Sequence, residues 1–242
     1  MNYEKLAKQF WSQGYLVIDG FFDPELADEL DALTLAHFHG NSANQLSEEF
    51  TGKAKTEIIP WLPQDDGPSR FDVVDQDPRL NALTDAVIGP GWRRQHCLVM
   101  FSAQGTKGQA WHQDCPPENK RDHNLNRLLY SRDIVDEVGG QLAVVPGTHL
   151  GGVLPVGEPH GDFPAQMVLR PRKGTLVLIH GHCWHRVFPV HGKFRTSINY
   201  RATPFGVSPE VTDTCVYRNM RYHFPTRRIV EDRTGGATAP VS

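Results

Sequence analysis

A histidine and a carboxylate lie two residues apart near the middle of the chain, at His112 and Asp114. Residues i and i+2 of an extended strand point to the same face of a sheet, so these two side chains can bind one ion. A His-x-Asp pair alone is a weak signal, because chance supplies many. It gains weight if a second histidine follows, since two histidines and one carboxylate with open coordination positions are typical of non-haem Fe(II) oxygenases.

Four histidines further along the chain are candidates for the third ligand: His180, His182, His185 and His191. We favour His185, because it precedes Arg195 by ten residues. Arg195 opens an alternating run in which it shares a strand face with Ser197. A guanidinium and a hydroxyl on one face suit the distal carboxylate of a dicarboxylic acid, because arginine binds carboxylates through two parallel hydrogen bonds.

A rival set has the same spacing and consists of His191 with Arg201 and Thr203. We rank it second because its arginine falls at the end of the predicted strand, just before Pro204. His149, which follows a Pro-Gly turn, is a further and weaker candidate ligand.

Several motifs follow one another in a fixed order: His112-x-Asp114, Val145-Pro146-Gly147-Thr148-His149, Gly174-Thr175-Leu176-Val177-Leu178, Trp184-His185 and Arg195-x-Ser197. These motifs resemble, in their order and spacing, the phytanoyl-CoA dioxygenase (PhyH-like) family of Fe(II)/2-oxoglutarate-dependent dioxygenases. The segment from Phe10 through the helix at Asp23-Pro24 is similar to this family as well. The resemblance extends over most of residues 5–203.

The resemblance implies a mainly β fold with flanking helices, built on a double-stranded β-helix of the jelly-roll or cupin-like kind. It implies catalytic iron on His112, Asp114 and His185, and 2-oxoglutarate on Arg195 and Ser197. In such enzymes the strand before the metal pair often contributes a polar side chain near 2-oxoglutarate, for which Gln95 is our candidate, with His96 as the alternative.

The activity implied is oxidation, most often hydroxylation, of an unactivated C–H bond by O2, with release of succinate and CO2. The alternative is a cupin-like metal-dependent dioxygenase or isomerase that does not use 2-oxoglutarate. Fold analogy does not transfer the substrate. The basic residues in or near the predicted pocket loops favour a small polar or anionic molecule; they are Arg70, Lys107, Lys120, Arg121, Arg127 and His160.

Arg127 lies inside a predicted strand, where an unpaired arginine is costly. It is expected either to face the cavity and bind an anion, or to lie on the outer face of the sheet.

The hydrophobic pattern predicts helices over residues 3–13, from Asp23-Pro24 to about His37, and from Asp77-Pro78 to Gly89. Predicted strands cover 15–18, 92–102, 125–134, 142–145, 167–169, 175–179 and 195–201. The long segments 39–70, 115–124 and 151–166 are predicted to be loops. The first either covers the pocket mouth or is plain surface, and the second is either a lid or a solvated charged loop.

With 242 residues, the chain is long enough for one sizeable core, and we expect a single domain over residues 1–233 with a disordered tail over 234–242. The net charge of −3 provides no broad basic surface for nucleic acid. No apolar run is long enough to span a membrane. The partner expected is therefore a small-molecule substrate.

The four cysteines show no paired spacing, and the amino terminus lacks the pattern of a signal peptide. We therefore expect reduced thiols in a cytoplasmic protein.

Overall fold

The computed structural model describes residues 1–39 and 58–223. Its described α-helices are α1 (Tyr3–Gln13), α2 (Pro24–His39), α3 (Asp72–Gln76) and α4 (Pro78–Ile88). Its described strands are β1 (Tyr15–Ile18), β2 (Ile59–Trp61), β3 (Arg93–Ala103), β4 (Gln109–Gln113), β5 (Leu125–Leu129), β6 (Leu142–Val144), β7 (Met167–Leu169), β8 (Leu176–His180), β9 (His185–Val187), β10 (Phe194–Thr203), β11 (Thr214–Tyr217) and β12 (Arg221–His223).

The strands form two antiparallel sheets. The large sheet has the order β1-β8-β5-β10-β3-β2, and the small sheet has the order β12-β11-β4-β9-β6-β7. Strands adjacent in each sheet are mostly distant in sequence, as in the double-stranded β-helix. The prediction of a mainly β jelly-roll with flanking helices is confirmed.

Side chains alternate between the two faces of the large sheet, and each face packs against a different part of the protein. Leu176 and Leu178 of β8 pack in the cluster that contains residues of α1, α2 and α4, on the outer face. Val177 and Ile179 pack instead with residues of β6 and β9, between the two sheets. Because side chains of a strand alternate between faces, the helices cover one face and the other faces the small sheet.

Local signals account for the ends of the helices. The Asn2 side chain accepts from the Lys5 N–H at the start of α1, and Gly14 ends the helix with φ of 80°. Asp77 caps α4 in the same way, accepting from the Arg79 N–H ahead of a proline at the first turn. None of the described helices combines the length and the apolar character that crossing a bilayer requires.

Two predicted segments differ from the structure, and a third cannot be compared with it. The strand expected over 125–134 ends at Leu129, because Ser131 and Arg132 turn away to bond Asp31 of α2. The described part of the expected 39–70 loop contains β2 and a 3-10 helix at Pro63–Asp66, and α3 follows it. The expected tail over 234–242 lies outside the described residues.

Candidate metal centre and active site

Three potential metal ligands converge at one end of the space between the sheets. His112 of β4 and His185 of β9 are direct partners across the strand pair. Asp114 follows β4, where its backbone N–H donates to the Gly181 carbonyl. One ligand atom from each of the three side chains lies within 4.8 Å of the others, and all three residues are buried. Within residues 1–39 and 58–223, no other group of His, Cys, Asp or Glu meets this criterion.

Backbone carbonyls orient both imidazoles. His112 Nδ1 lies 2.8 Å from the Ala110 oxygen, and His185 Nδ1 lies 2.9 Å from the Cys183 oxygen. A carbonyl oxygen only accepts, so in each ring Nδ1 carries the proton and Nε2 keeps its lone pair. The Nε2 atoms of His112 and His185 lie 3.7 and 3.2 Å from the Asp114 carboxylate. Burial, reinforced by His185, lowers the pKa of His112 to about 4, so this ring is neutral, as a metal ligand must be.

The Asp114 carboxylate is held by a polar network from the large sheet. Asn126 Nδ2 donates to Oδ2 at 2.7 Å, and Arg201 Nη2 lies 3.3 Å from Oδ1. Asn126 Oδ1 accepts in turn from Arg201 Nε at 3.0 Å and from Asn199 Nδ2 at 2.8 Å. Burial acts to raise the pKa of Asp114, but Arg201 and the two histidines hold it well below its usual range. The carboxylate is therefore ionised and fixed in orientation.

This donor set fits a divalent first-row metal such as Fe(II). Two imidazole nitrogens with free lone pairs and one ionised carboxylate are the ligands of the facial triad. Each imidazole is oriented through its second nitrogen and the carboxylate through an amide, as is usual for groups that bind metals.

Arg195 and Ser197 line the same cavity from β10. Arg195 Nε donates to the Gly140 oxygen at 2.8 Å, and Nη1 donates to Ser197 Oγ at 3.0 Å. Gly140 has φ of 68°, and a Cβ there would lie 2.4 Å from Arg195 Cδ, so this position requires glycine. The guanidinium is buried, and none of the ion pairs within the described residues includes it. A buried cation without a protein anion fits the distal carboxylate of 2-oxoglutarate.

Gln95 lies outside this cavity. Its amide donates to Thr203 Oγ1 at 2.7 Å, near the far end of the β3–β10 pair. The structure therefore does not bring Gln95 to the proposed co-substrate position, and hydrogen bonds at that position come from β10 instead.

Arg127 is fully buried, but it faces the helices and not the cavity. Its Nε donates to the Tyr200 oxygen at 2.8 Å, Nη2 donates to Asp75 Oδ1 at 2.7 Å, and the guanidinium lies 4.8 Å from the Trp92 ring centre. Of the two positions expected for Arg127, the structure has the one on the outer face of the sheet, because its neighbour Asn126 takes the inner face of β5.

Arg70, Arg121 and His160 are also absent from the cavity lining. Arg70 pairs with Glu29 at 2.5 Å on the surface, and Arg121 is exposed. The loop with His160 packs on Trp111, whose Nε1 donates to the Gly161 oxygen at 2.8 Å. Trp111 points to the face of β4 opposite His112, so this loop covers the outside of the small sheet.

The other candidate histidines lie elsewhere. His180, His182 and His149 form a separate cluster with His123, in which the rings of His123 and His180 stack at 4.2 Å. His191 is exposed on the segment before β10.

The structure adds cavity residues that sequence reasoning missed or assigned elsewhere: Asn126, Tyr130, Asn199, Arg201, Cys215 and Tyr217. The period of two along β10 was a usable signal for Asn199 and Arg201, because both follow Arg195 and Ser197 on one face. The spacing of ten residues links Arg201 with His191, and the structure separates the two, with Arg201 buried and His191 exposed. No local signal pointed to β11, which carries Cys215 and Tyr217.

Comparison with solved structures gives similar folds at low identity. The α-ketoglutarate-dependent epimerase SnoN of nogalamycin biosynthesis is 21% identical with a TM-score of 0.63, over 99% of this chain and 90% of that one. Iron-bound HygX from Streptomyces hygroscopicus is 15% identical with a TM-score of 0.65, over 84% and 86%. The non-heme monooxygenase ThoJ is 16% identical with a TM-score of 0.62, over 95% and 94%. These likenesses are evidence of the shared fold.

No significant match is found among curated proteins. The family model for phytanoyl-CoA dioxygenase (PhyH) matches residues 10–197, which is most of the chain and includes all three proposed metal ligands. The protein therefore belongs to the phytanoyl-CoA dioxygenase family and is an iron- and 2-oxoglutarate-dependent oxidoreductase.

Proposed function

We propose that this protein hydroxylates an unactivated C–H bond of a small polar or anionic molecule, with iron on His112, Asp114 and His185 and 2-oxoglutarate on Arg195 and Ser197. The observation that carries the proposal is the position of Arg195, a buried cation without a described protein anion, in the cavity that the three ligands line.

Iron and 2-oxoglutarate, when bound, supply the oxidising chemistry: one atom of O2 enters the product hydroxyl, the other enters succinate, and 2-oxoglutarate loses CO2. The chain's own residues supply binding and orientation. His112 and His185 offer Nε2 lone pairs, and Asp114 offers an ionised carboxylate held by Asn126.

Arg195 and Ser197 hold the distal carboxylate of the co-substrate. Both are buried, so water competes little with the bidentate contact that a guanidinium makes. The walls of the cavity, which include Leu128, Leu142 and Val187, exclude water from the reacting groups.

The first test is an anaerobic titration of the metal-free protein with Fe(II) and then 2-oxoglutarate, followed by the visible charge-transfer absorption of a chelated 2-oxo acid. The band is expected in the wild-type protein and absent in His185→Ala, which removes a ligand. His191→Ala is the matched control, because the same change is made at an exposed histidine, and it should keep the band.

If Fe(II) binds the wild-type protein but 2-oxoglutarate produces no band, the proposed co-substrate site is wrong. A cupin-like metal-dependent dioxygenase or isomerase would then be the better account. A band retained in His185→Ala would overturn the assignment of the third ligand.

A further inference from the structure

A second buried arginine lines the cavity, at Arg201. It lies on the same face of β10 as Arg195 but six residues further along. At about 3.3 Å per residue, the two Cα atoms are roughly 20 Å apart. Arg201 lies beside Asp114, so it borders the metal centre, whereas Arg195 lies at the end of the cavity formed by Gly140 and Tyr130.

The described side chains that line the cavity carry one more positive charge than negative. Arg195 and Arg201 are cations, and Asp114 is the one lining carboxylate among them. The metal ligands His112 and His185 are neutral in the metal-bound state. A divalent metal and the 2-oxoglutarate dianion add equal and opposite charges, so loading the site leaves the excess of one positive charge unchanged.

No described neighbour of Arg201 removes this excess. Its Nε is used by the neutral Asn126, and Nη2 lies 3.3 Å from the carboxylate that the metal also needs. Among the described residues, none forms a hydrogen bond with Arg201 Nη1. His96, its cross-strand partner on β3, is neutral, because burial and the charge of Arg201 lower the pKa of His96 to about 3.

An uncompensated buried charge is costly, and its cost is relieved when a ligand brings the opposite charge. We propose that Arg201 binds the substrate and that the substrate is a singly charged organic anion, a monocarboxylate, held through Nη1 at the metal end of the cavity. This inference rests on the proposed function, because the charge count includes the metal and 2-oxoglutarate.

The position of the proposed anchor also suits the reaction. Arg201 Nη2 lies 3.3 Å from Asp114 Oδ1, so a substrate carboxylate bound to Arg201 is held close to the metal ligands. From Arg201 toward Arg195, the cavity wall contains the apolar residues Leu98 and Met100 of β3, which pair with Asn199 and Ser197, and Pro60 of β2, which pairs with Met100. A carboxylate with a carbon chain would therefore direct its chain along this wall, with its C–H bonds near the metal.

The test uses matched pairs of straight-chain monocarboxylates and their primary amides, from acetate and acetamide to octanoate and octanamide. Each is titrated anaerobically into the protein loaded with Fe(II) and 2-oxoglutarate. A ligand that binds beside the co-substrate shifts the charge-transfer band, whereas one that displaces 2-oxoglutarate abolishes it. We expect at least one chain length at which the carboxylate shifts the band with at least tenfold higher affinity than its amide.

Three variants test whether Arg201 causes the preference for the carboxylate. Arg201→Met removes the cation and should abolish the preference for the carboxylate, whereas Arg201→Lys keeps a cation and should retain part of it. Arg93→Met makes the same change at an exposed arginine of β3 and should behave as wild type.

The outcomes separate this inference from the proposed function. An intact band with no carboxylate preference at any chain length, or with carboxylates that only abolish the band, would overturn the role of Arg201. So would a preference that survives in Arg201→Met. A band that is lost in both Arg201 variants, together with no carboxylate preference in the wild-type protein, would show that Arg201 serves the metal site alone. Absence of the band from the wild-type protein would instead refute the proposed function.

Discussion

At the scale of single residues, the orientation of each metal ligand depends on a second group that hydrogen-bonds to it. Asn126 is the clearest case, because one amide donates to Asp114 and accepts from both Arg201 and Asn199. Its orientation follows from these partners, since only the nitrogen donates and only the oxygen accepts. Asn126 is a positioning residue for the carboxylate.

Replacement of Asn126 by alanine should weaken metal binding by about 10- to 100-fold, the usual effect of removing a group that orients a ligand. The measurement is a titration of the metal-free protein with Co(II), followed by its d–d absorption. Gln95→Ala is the matched control, because Gln95 bonds Thr203 away from the cavity, and its Co(II) affinity should equal that of the wild type. Equal affinities in both variants would refute the role of Asn126.

At the scale of elements, β5 and β10 combine chemistry and structure by alternation. On β10, Arg195, Ser197, Asn199 and Arg201 face the cavity, while Ile198 and Tyr200 pack under the helices. On β5 the outer position is Arg127, which joins β10 to α3 through Tyr200 and Asp75. This arginine is part of the packing between the sheet and the helices.

Arg127→Met should therefore lower the free energy of unfolding by about 3 kcal/mol, because it removes a fully buried arginine from its ion pair with the partly exposed Asp75 and leaves the Tyr200 carbonyl without its donor. Urea denaturation measures this loss. The affinity for 2-oxoglutarate, measured through the charge-transfer band, should stay at the wild-type value. A large loss of co-substrate affinity with unchanged stability would instead show that Arg127 acts in the active site.

At the scale of the whole molecule, a cluster of histidines joins separate parts of the chain. His123, His149, His180 and His182 come from two loops, a 3-10 turn and the end of β8, and Trp11 of α1 packs against three of them. Burial, with the neighbouring His182, lowers the pKa of His123 to about 4, and burial lowers the pKa of His180 well below its usual value.

The sign of the pH dependence follows from these depressed pKa values. The unfolded chain binds a proton on each histidine near pH 6.5, while the folded protein does not bind it until a lower pH. The contribution of His123 to stability is therefore complete above about pH 6.5 and is lost as the pH falls toward 4. The loss for one fully titrating histidine is about 1.4 kcal/mol per pH unit.

We expect the urea midpoint of the metal-free protein to fall from pH 7 to pH 5, and to fall less steeply in His123→Gln. The exposed His191→Gln should keep the wild-type slope. If His123→Gln and the wild type have the same slope, His123 does not contribute to acid sensitivity.

The sequence by itself determined the features that depend on local spacing. A period of two predicts that His112 and Asp114 share a face, and likewise Arg195 and Ser197, and the structure has both pairs so arranged. The helical period of residues 3–13 is also local, and α1 (Tyr3–Gln13) matches the helix that it predicts. The ordered motifs indicated the family and the jelly-roll, because they sample the whole length of the core.

The tertiary structure decided everything that depends on which strands pair. His185 meets His112 because β4 and β9 pair in that register, whereas no spacing rule excluded His191. A shift of one residue in register would exchange the faces of a strand, so the outward position of Arg127 and the inward position of Asn126 depend on pairing across the sheet. Arg201 reaches Asp114 only because β10 and β4 lie in facing sheets. Contacts of this kind join residues far apart in the chain, which is why local patterns did not predict them.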